Sequence, residues 1–262
     1  MRISRGATAL AMAIASLAAH AAEEEAKDLP KWEADISAGL VLERGNTETN
    51  EVKGDLNAAR EGVLWRNTLK LEANNKEERL DDPLTPETEP FLRTDERYYG
   101  SYKLDRKLGS HSANYLFAVG TYEKDLFSGY QYQATSAVGL GRRWIERDKH
   151  TLDAEAGPGY RWKCLEPEEG YFQCDNDENE SILRVALKYK WLISENADFR
   201  QEVSSDVGRD STSTRAESVL NSKINSHFSL RVRYLLEHET EVPAGTKEAD
   251  HELSVGLVYT II

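Results

Sequence analysis

The chain has no long apolar run beyond its first twenty residues, only two cysteines among 262 residues, and 33 Lys and Arg against 46 Asp and Glu. Each shortage excludes something. Crossing a bilayer as a helix takes about twenty consecutive apolar residues, so no segment after the N-terminus does so. A formal net charge of -13 makes a poor partner for nucleic acid, because neutralising phosphates takes clustered Lys and Arg. No Cys-x-x-Cys pair or Cys/His cluster is present to hold zinc, and no metal or other cofactor is expected. These absences leave a transmembrane barrel standing, since its strands alternate and their average hydropathy looks soluble.

The N-terminus carries Arg2 and Arg5, a small-apolar run from Gly6 to Ala18, and then Ala19-His20-Ala21. That order predicts a secretory signal peptide over residues 1–21. A charged segment follows over 22–31, and a single domain is expected over 32–262.

Within that domain apolar residues recur at every second position, with little sustained helical periodicity. Trp32, Ala34, Ile36, Ala38 and Leu40 open the series; Leu183, Val185, Leu187, Tyr189 and Trp191 repeat it; Leu253, Val255, Leu257, Tyr259 and Ile261 close it. About twelve such strands are countable, an even number as single-chain bacterial barrels require. The fold class expected is all-β, an antiparallel up-and-down transmembrane barrel. Short turns are expected near Glu61-Gly62, Glu146–Lys149, Ser194–Asn196 and Asn225–His227, with longer polar loops over 78–92, 124–130, 163–179 and 239–249. Aromatics such as Trp65, Trp144, Trp162, Trp191 and Tyr259 fall near strand ends, where interfacial girdles belong. A soluble sandwich would place them mid-strand. The outer membrane is the expected location, with its lipid and lipopolysaccharide around the wall. The C-terminal strand is expected to be read by barrel-assembly machinery, although Ile262 replaces the usual terminal Phe.

The opposite face of the strands is dense with charge. Arg66, Lys70, Arg97, Lys103, Glu155, Arg161, Arg184, Lys188, Arg200, Arg215, Arg231 and Arg233 all alternate with the apolar set and are expected to face the lumen. Mixed signs point to ion pairing inside it. A basic strip in a narrow channel would also attract anions.

Catalysis finds little support, and no catalytic residue is assigned. His238 and His251 flank the last long loop, and Ser204, Ser205, Ser211, Ser213 and Asp206 lie toward the same rim. These could support a hydrolase acting on lipid or peptide at the outer rim, but no Gly-x-Ser-x-Gly elbow is present. Residues 175–180 read as an acidic loop. An EF-hand would need Gly and Glu where Glu180 and Ala186 stand, so a calcium site fails. Cys164 and Cys174, close together in an exported chain, are expected to close a short loop as a disulfide.

The stretch Gly45-Asn46-Thr47 carries a single glycine and leads into another strand, not a helix, so it is no phosphate loop. Gly and Asn tolerate positive φ, and the stretch is expected to cap the first hairpin. Together with Trp32, Gly39 and the terminal Gly256-x-x-Tyr259, it resembles the YdiY-like family, described as salt-induced outer-membrane proteins of unknown molecular function. The resemblance implies an outer-membrane barrel and a link to salt or envelope stress, and it supplies no catalytic residue.

Overall fold

The computed structural model describes residues 32–43, 47–80, 92–110, 112–165, 177–242 and 247–261. The expected leader, the charged segment, Cys174 and Ile262 lie outside them. Twelve strands form in chain order: β1 (Glu33–Glu43), β2 (Thr47–Glu61), β3 (Trp65–Leu80), β4 (Leu92–Lys107), β5 (Asn114–Asp125), β6 (Tyr130–Arg147), β7 (His150–Leu165), β8 (Asp177–Ser194), β9 (Ala197–Val207), β10 (Thr212–Lys223), β11 (Phe228–Glu239) and β12 (Ala249–Ile261). Each pairs antiparallel with its chain neighbour, and β12 returns to pair with β1, closing a barrel. A sandwich is thereby excluded, and every strand finds two neighbours without a crossover.

The alternation decides which side faces out. On β12, Leu253, Val255, Leu257, Tyr259 and Ile261 are exposed while Val258 between them is buried. Ile36 on β1, Leu183, Val185 and Leu187 on β8, and Val138 and Leu140 on β6 are likewise exposed. A continuous apolar wall is what lipid requires, since no strand edge or polar backbone can face hydrocarbon. Exposed aromatics band this wall at two levels. Trp32, Trp144, Trp191, Phe228 and Tyr259 lie toward one rim, and Tyr98, Tyr122, Tyr160 and Tyr234 toward the other.

The first of these rims, which also holds both ends of the barrel, carries connections over 62–64, 108–113, 148–149, 195–196 and 224–227; it is called the short-turn rim below. At the opposite, long-loop rim the connections are 44–46, 81–91, 126–129, 166–176, 208–211 and 240–248. The expected asymmetry therefore rests on three of them, 81–91, 166–176 and 240–248. The loop expected over 124–130 is a tight connection, and those expected over 78–92 and 163–179 lose residues at both ends to longer strands. Polar sequence such as Glu77-Glu78 remains in the β3–β4 ladder, because a strand reaching past the apolar band needs no apolar face.

Of the stretch expected to cap the first hairpin, Gly45 and Asn46 lie outside the described residues. The β1–β2 ladder ends at Glu43↔Thr49, while Thr47 and Glu48 pair with Leu80 and Arg79 of β3. Beyond the hairpin, β2 is held from its other side.

One inner wall departs from the charged lumen. Tyr115, Phe117 and Val119 of β5 point inward with Ala137 of β6 and form a buried apolar cluster. Its packing depends on glycine. A Cβ on Gly141 would sit 2.2 Å from the Tyr115 ring, and one on Gly157 would sit 2.1 Å from the Val138 carbonyl oxygen. Neither position admits a side chain without moving the wall.

Candidate functional site in the lumen

Inward positions of the strands bring most of the predicted charges into ion-paired clusters at several levels of the lumen. Near the short-turn rim, Arg66 donates through Nε to Asp105 at 2.6 Å and through Nη1 to Asp153 at 3.3 Å. Arg143 holds the same Asp153 at 2.8 Å. Lys103 lies between Asp105 at 2.6 Å and Glu155 at 2.5 Å, and the Tyr115 hydroxyl donates to Glu155 at 2.8 Å. Burial of this cluster demands that each charge be matched, since an uncompensated ion there costs several kcal/mol.

The middle of the lumen is crossed from wall to wall. Lys70 on β3 meets Glu202 on β9 at 2.8 Å. In a ring of twelve strands these two stand six positions apart, which is diametrically opposite. Glu72, also on β3, takes Arg215 of β10 at 2.9 Å and Arg233 of β11 at 2.9 Å. Arg97 of β4 bridges Glu123 of β5 at 2.6 Å and Glu237 of β11 at 2.9 Å. Arg215 also pairs with Glu237, and its guanidinium lies 4.4 Å from the Tyr99 ring centroid. Arg231 reaches Asp55 across the seam at 2.9 Å and Asn221 at 2.9 Å.

Toward the long-loop rim, Arg161 pairs with Glu180 and donates at 2.7 Å to both the carbonyl and hydroxyl oxygens of Ser211. Lys163 pairs with Glu239, and Arg184 holds Asp206 at 2.9 Å. Lys188 lines a 60 Å³ cavity beside Lys103 and Glu202. Arg200 bonds Asp198 on its own strand at 2.8 Å and lines a 160 Å³ space toward the short-turn rim. Further spaces of 70 and 220 Å³ lie between the charged tiers and at the short-turn mouth.

Of the twelve charges expected in the lumen, all but Lys188 are held in an ion pair among the described residues. Three features went unread. The apolar inner face of β5 breaks the charged lining. Glu180, taken for part of an acidic loop, is a β8 residue that holds Arg161. The acids that cross the middle of the lumen, Glu202 for Lys70 and Glu72 for Arg215 and Arg233, come from distant strands.

The rim histidines and serines do not assemble. Tyr234 and His251 share the outward face, bonded at 2.8 Å. His238 stands opposite Thr214 in the β10–β11 ladder, and Thr214 in turn bonds Ser205 at 2.9 Å. Ser211 is instead taken up inside by Arg161, and Asp206 by Arg184. Among the described residues the one His–Ser hydrogen bond is Ser226 to His227 at 2.8 Å, at the short-turn rim. Cys164 is buried at the end of β7 and engaged in a disulfide.

Residues 36–261 match the family described as "Protein of unknown function, DUF481". "Uncharacterized protein YdiY" of Escherichia coli K12 is 26% identical over 237 residues, covering 88% of this chain and 83% of that one. Among solved structures, an outer membrane channel from Pseudomonas putida F1 aligns with a TM-score of 0.48 at 7% identity, covering 91% and 97% of the two chains. The translocator domain of the autotransporter NalP from Neisseria meningitidis aligns at 0.46 and 12%, covering 97% of each. The NanC porin aligns at 0.46 and 10%, covering 87% and 97%. At such scores the architecture rests on this chain's own strand order and closure.

Proposed function

The chain belongs to the family described as protein of unknown function DUF481, and on that premise we propose that it is a non-enzymatic outer-membrane barrel whose lumen is a narrow conduit held by cross-lumen ion pairs. The observation that carries this is the Lys70–Glu202 pair at 2.8 Å between opposite walls. A lumen meant only to be filled is served better by apolar side chains, because charges taken from water rarely repay their desolvation. A lumen that admits water and small solutes needs polar walls. Pairing them narrows the passage without making it greasy, and rings of charge set which ions pass. The apolar outer band and its aromatic girdles support a membrane setting, with the short-turn rim in the periplasm and the long-loop rim outside.

A leader over 1–21 would deliver the chain across the inner membrane, and the link to salt or envelope stress that the family resemblance implies belongs to this proposal too. Planar-bilayer recording provides the test. Discrete small conductance is expected from the full mature chain, rising when Glu202→Gln releases Lys70. A sealed trace from both would overturn the conduit. Recovery of the protein in the soluble periplasmic fraction would overturn the membrane reading itself.

A further inference from the structure

Between the central and long-loop tiers lies a 70 Å³ cavity lined by Arg161, Arg184, Arg215, Thr121, Thr135 and Ser213, together with acids treated below. Arg161 is only 2% exposed. Its Nη2 does all the bonding, to Glu180 and to both oxygens of Ser211. Its Nε and Nη1 are buried without a hydrogen-bond partner, and so is Nε of Arg184. A guanidinium has five N–H donors and no acceptor. Leaving such donors buried and unmatched is costly, because each has given up its bonds to water. What they lack is an acceptor.

The acids around the cavity are already committed. Asp206 accepts from Arg184 Nη1 through both oxygens. Glu123 accepts from Arg97 at 2.6 Å, and Glu237 from Arg97 and Arg215. The strand register adds hydroxyl groups at the level of Arg161. Thr121 of β5 stands opposite Thr135 of β6, which stands opposite Arg161 of β7. Guanidinium edges beside hydroxyl donors make the environment that carboxylate and phosphate oxygens prefer.

We propose that this cavity is a binding subsite for a small oxyanion, a phosphate or a carboxylate, that accepts from the free edges of Arg161 and Arg184. The proposal rests on the lumen being reachable by solute, as the conduit reading holds, and names the class of solute that pauses there. A monatomic anion such as chloride offers a single acceptor atom, not the paired oxygens that a guanidinium edge bonds in parallel.

The test is equilibrium titration of the full mature chain in nanodiscs with inorganic phosphate, with acetate and with chloride, followed by calorimetry. Saturable binding of phosphate or acetate is expected, with chloride at least about tenfold weaker. Which of the two oxyanions binds tighter identifies the source. Arg184→Gln should weaken that binding about tenfold or more, the loss of one charged hydrogen bond. Thr135→Val, which leaves every ion pair in place, should weaken it less. Arg161→Gln also removes the anchor of Glu180 and Ser211, so it is used only if its heat-modifiable gel mobility is retained. Equal binding of all three anions, or binding indifferent to Arg184→Gln and Thr135→Val, would overturn the subsite. Conductance in bilayers without saturable binding would overturn the subsite alone, and binding without conductance would overturn the conduit alone.

Discussion

The wall formed by β5, β6 and β7 and the seam between β1 and β12 are built from the same alternating code, yet they are held very differently. β6 and β7 pair from Tyr130↔Leu165 to Arg147↔His150, end to end along both strands with register shifts between Tyr130 and Tyr132 and between Arg143 and Ile145. Tyr115, Phe117 and Val119 back this wall from inside. The seam pairs only from Ala34↔Ile261 to Ala38↔Leu257. Beyond that point both strands continue, β1 along β2 as far as Glu43↔Thr49 and β12 along β11 as far as His238↔Ala249. Among the described residues no ladder joins them there. Outward side chains register the gap: Leu253 and Val255 are 71% and 62% exposed, against 49% and 44% for Leu257 and Tyr259 lower on the same strand. Lipid cannot satisfy an open strand edge, so closure is strongest where packing backs it and weakest where the chain ends meet.

The largest effect should come from the stiff wall. Gly157→Val places a side chain where even a Cβ lies 2.1 Å from the Val138 carbonyl oxygen. Backbone would have to move on both strands, at a cost of about 3 kcal/mol or more. The expected outcome is loss of the heat-modifiable folded band on gels. Retention of that band at wild-type thermal stability would mean that β6 and β7 flex where they are described as fixed.

Lys103→Met comes next. It removes the cation from between Asp105 and Glu155, whose side chains are each 2% exposed. Glu155 is left buried with only the Tyr115 hydroxyl while Asp105 keeps Arg66, and breaking a buried pair in this way costs about 3–5 kcal/mol. The midpoint of denaturant unfolding in detergent should fall accordingly. Adding Glu155→Leu should recover part of the loss, because it removes the stranded charge. A single substitution without measurable cost would show that water, not Lys103, satisfies those acids.

Much of this was legible in the sequence, and the limits are physical. Strand number and outward faces follow from a period of two, which each strand displays independently. The run Tyr115-Leu116-Phe117-Ala118-Val119 even announces burial on both faces, the signal that separates β5 from its neighbours. Strand ends were less legible. Residues such as Asp177 and Glu180 are polar because they stand above the apolar band or face the lumen, and polarity alone cannot distinguish that from a loop. The pairing of Lys70 with Glu202, or Glu72 with Arg215 and Arg233, was not legible. Those partners meet across the lumen, and nothing local in β3 encodes which strand will stand opposite once the ring closes.

The seam can be probed directly by cysteine pairs in a background lacking Cys164 and Cys174. Ser37→Cys with Val258→Cys sits at a rung of the ladder, where facing Cβ atoms fall within disulfide reach. Gly39→Cys with Gly256→Cys is the next inward position if the same register continued. Fast oxidation of the first pair and slow oxidation of the second are expected. Equal rates would show the ladder to be complete and would erase the contrast between wall and seam.

The smallest effect belongs to an ion pair that ties the upper part of β12 to β2 past the seam, Lys53 to Glu252 at 3.4 Å. Both side chains are about a quarter exposed, Lys53 is shared with Glu51, and Glu252 is shared with Arg233. Such a pair contributes about 0–1 kcal/mol, so Glu252→Gln should barely move the unfolding midpoint. Its effect should show instead in amide hydrogen exchange on β12, faster over Leu253–Val255 than over Leu257–Tyr259, with the difference widening in the variant. If the seam were held by its backbone alone, the variant and the wild type would exchange alike at both places. A widening confined to the unladdered stretch would show that a side-chain latch stands in for the missing rungs.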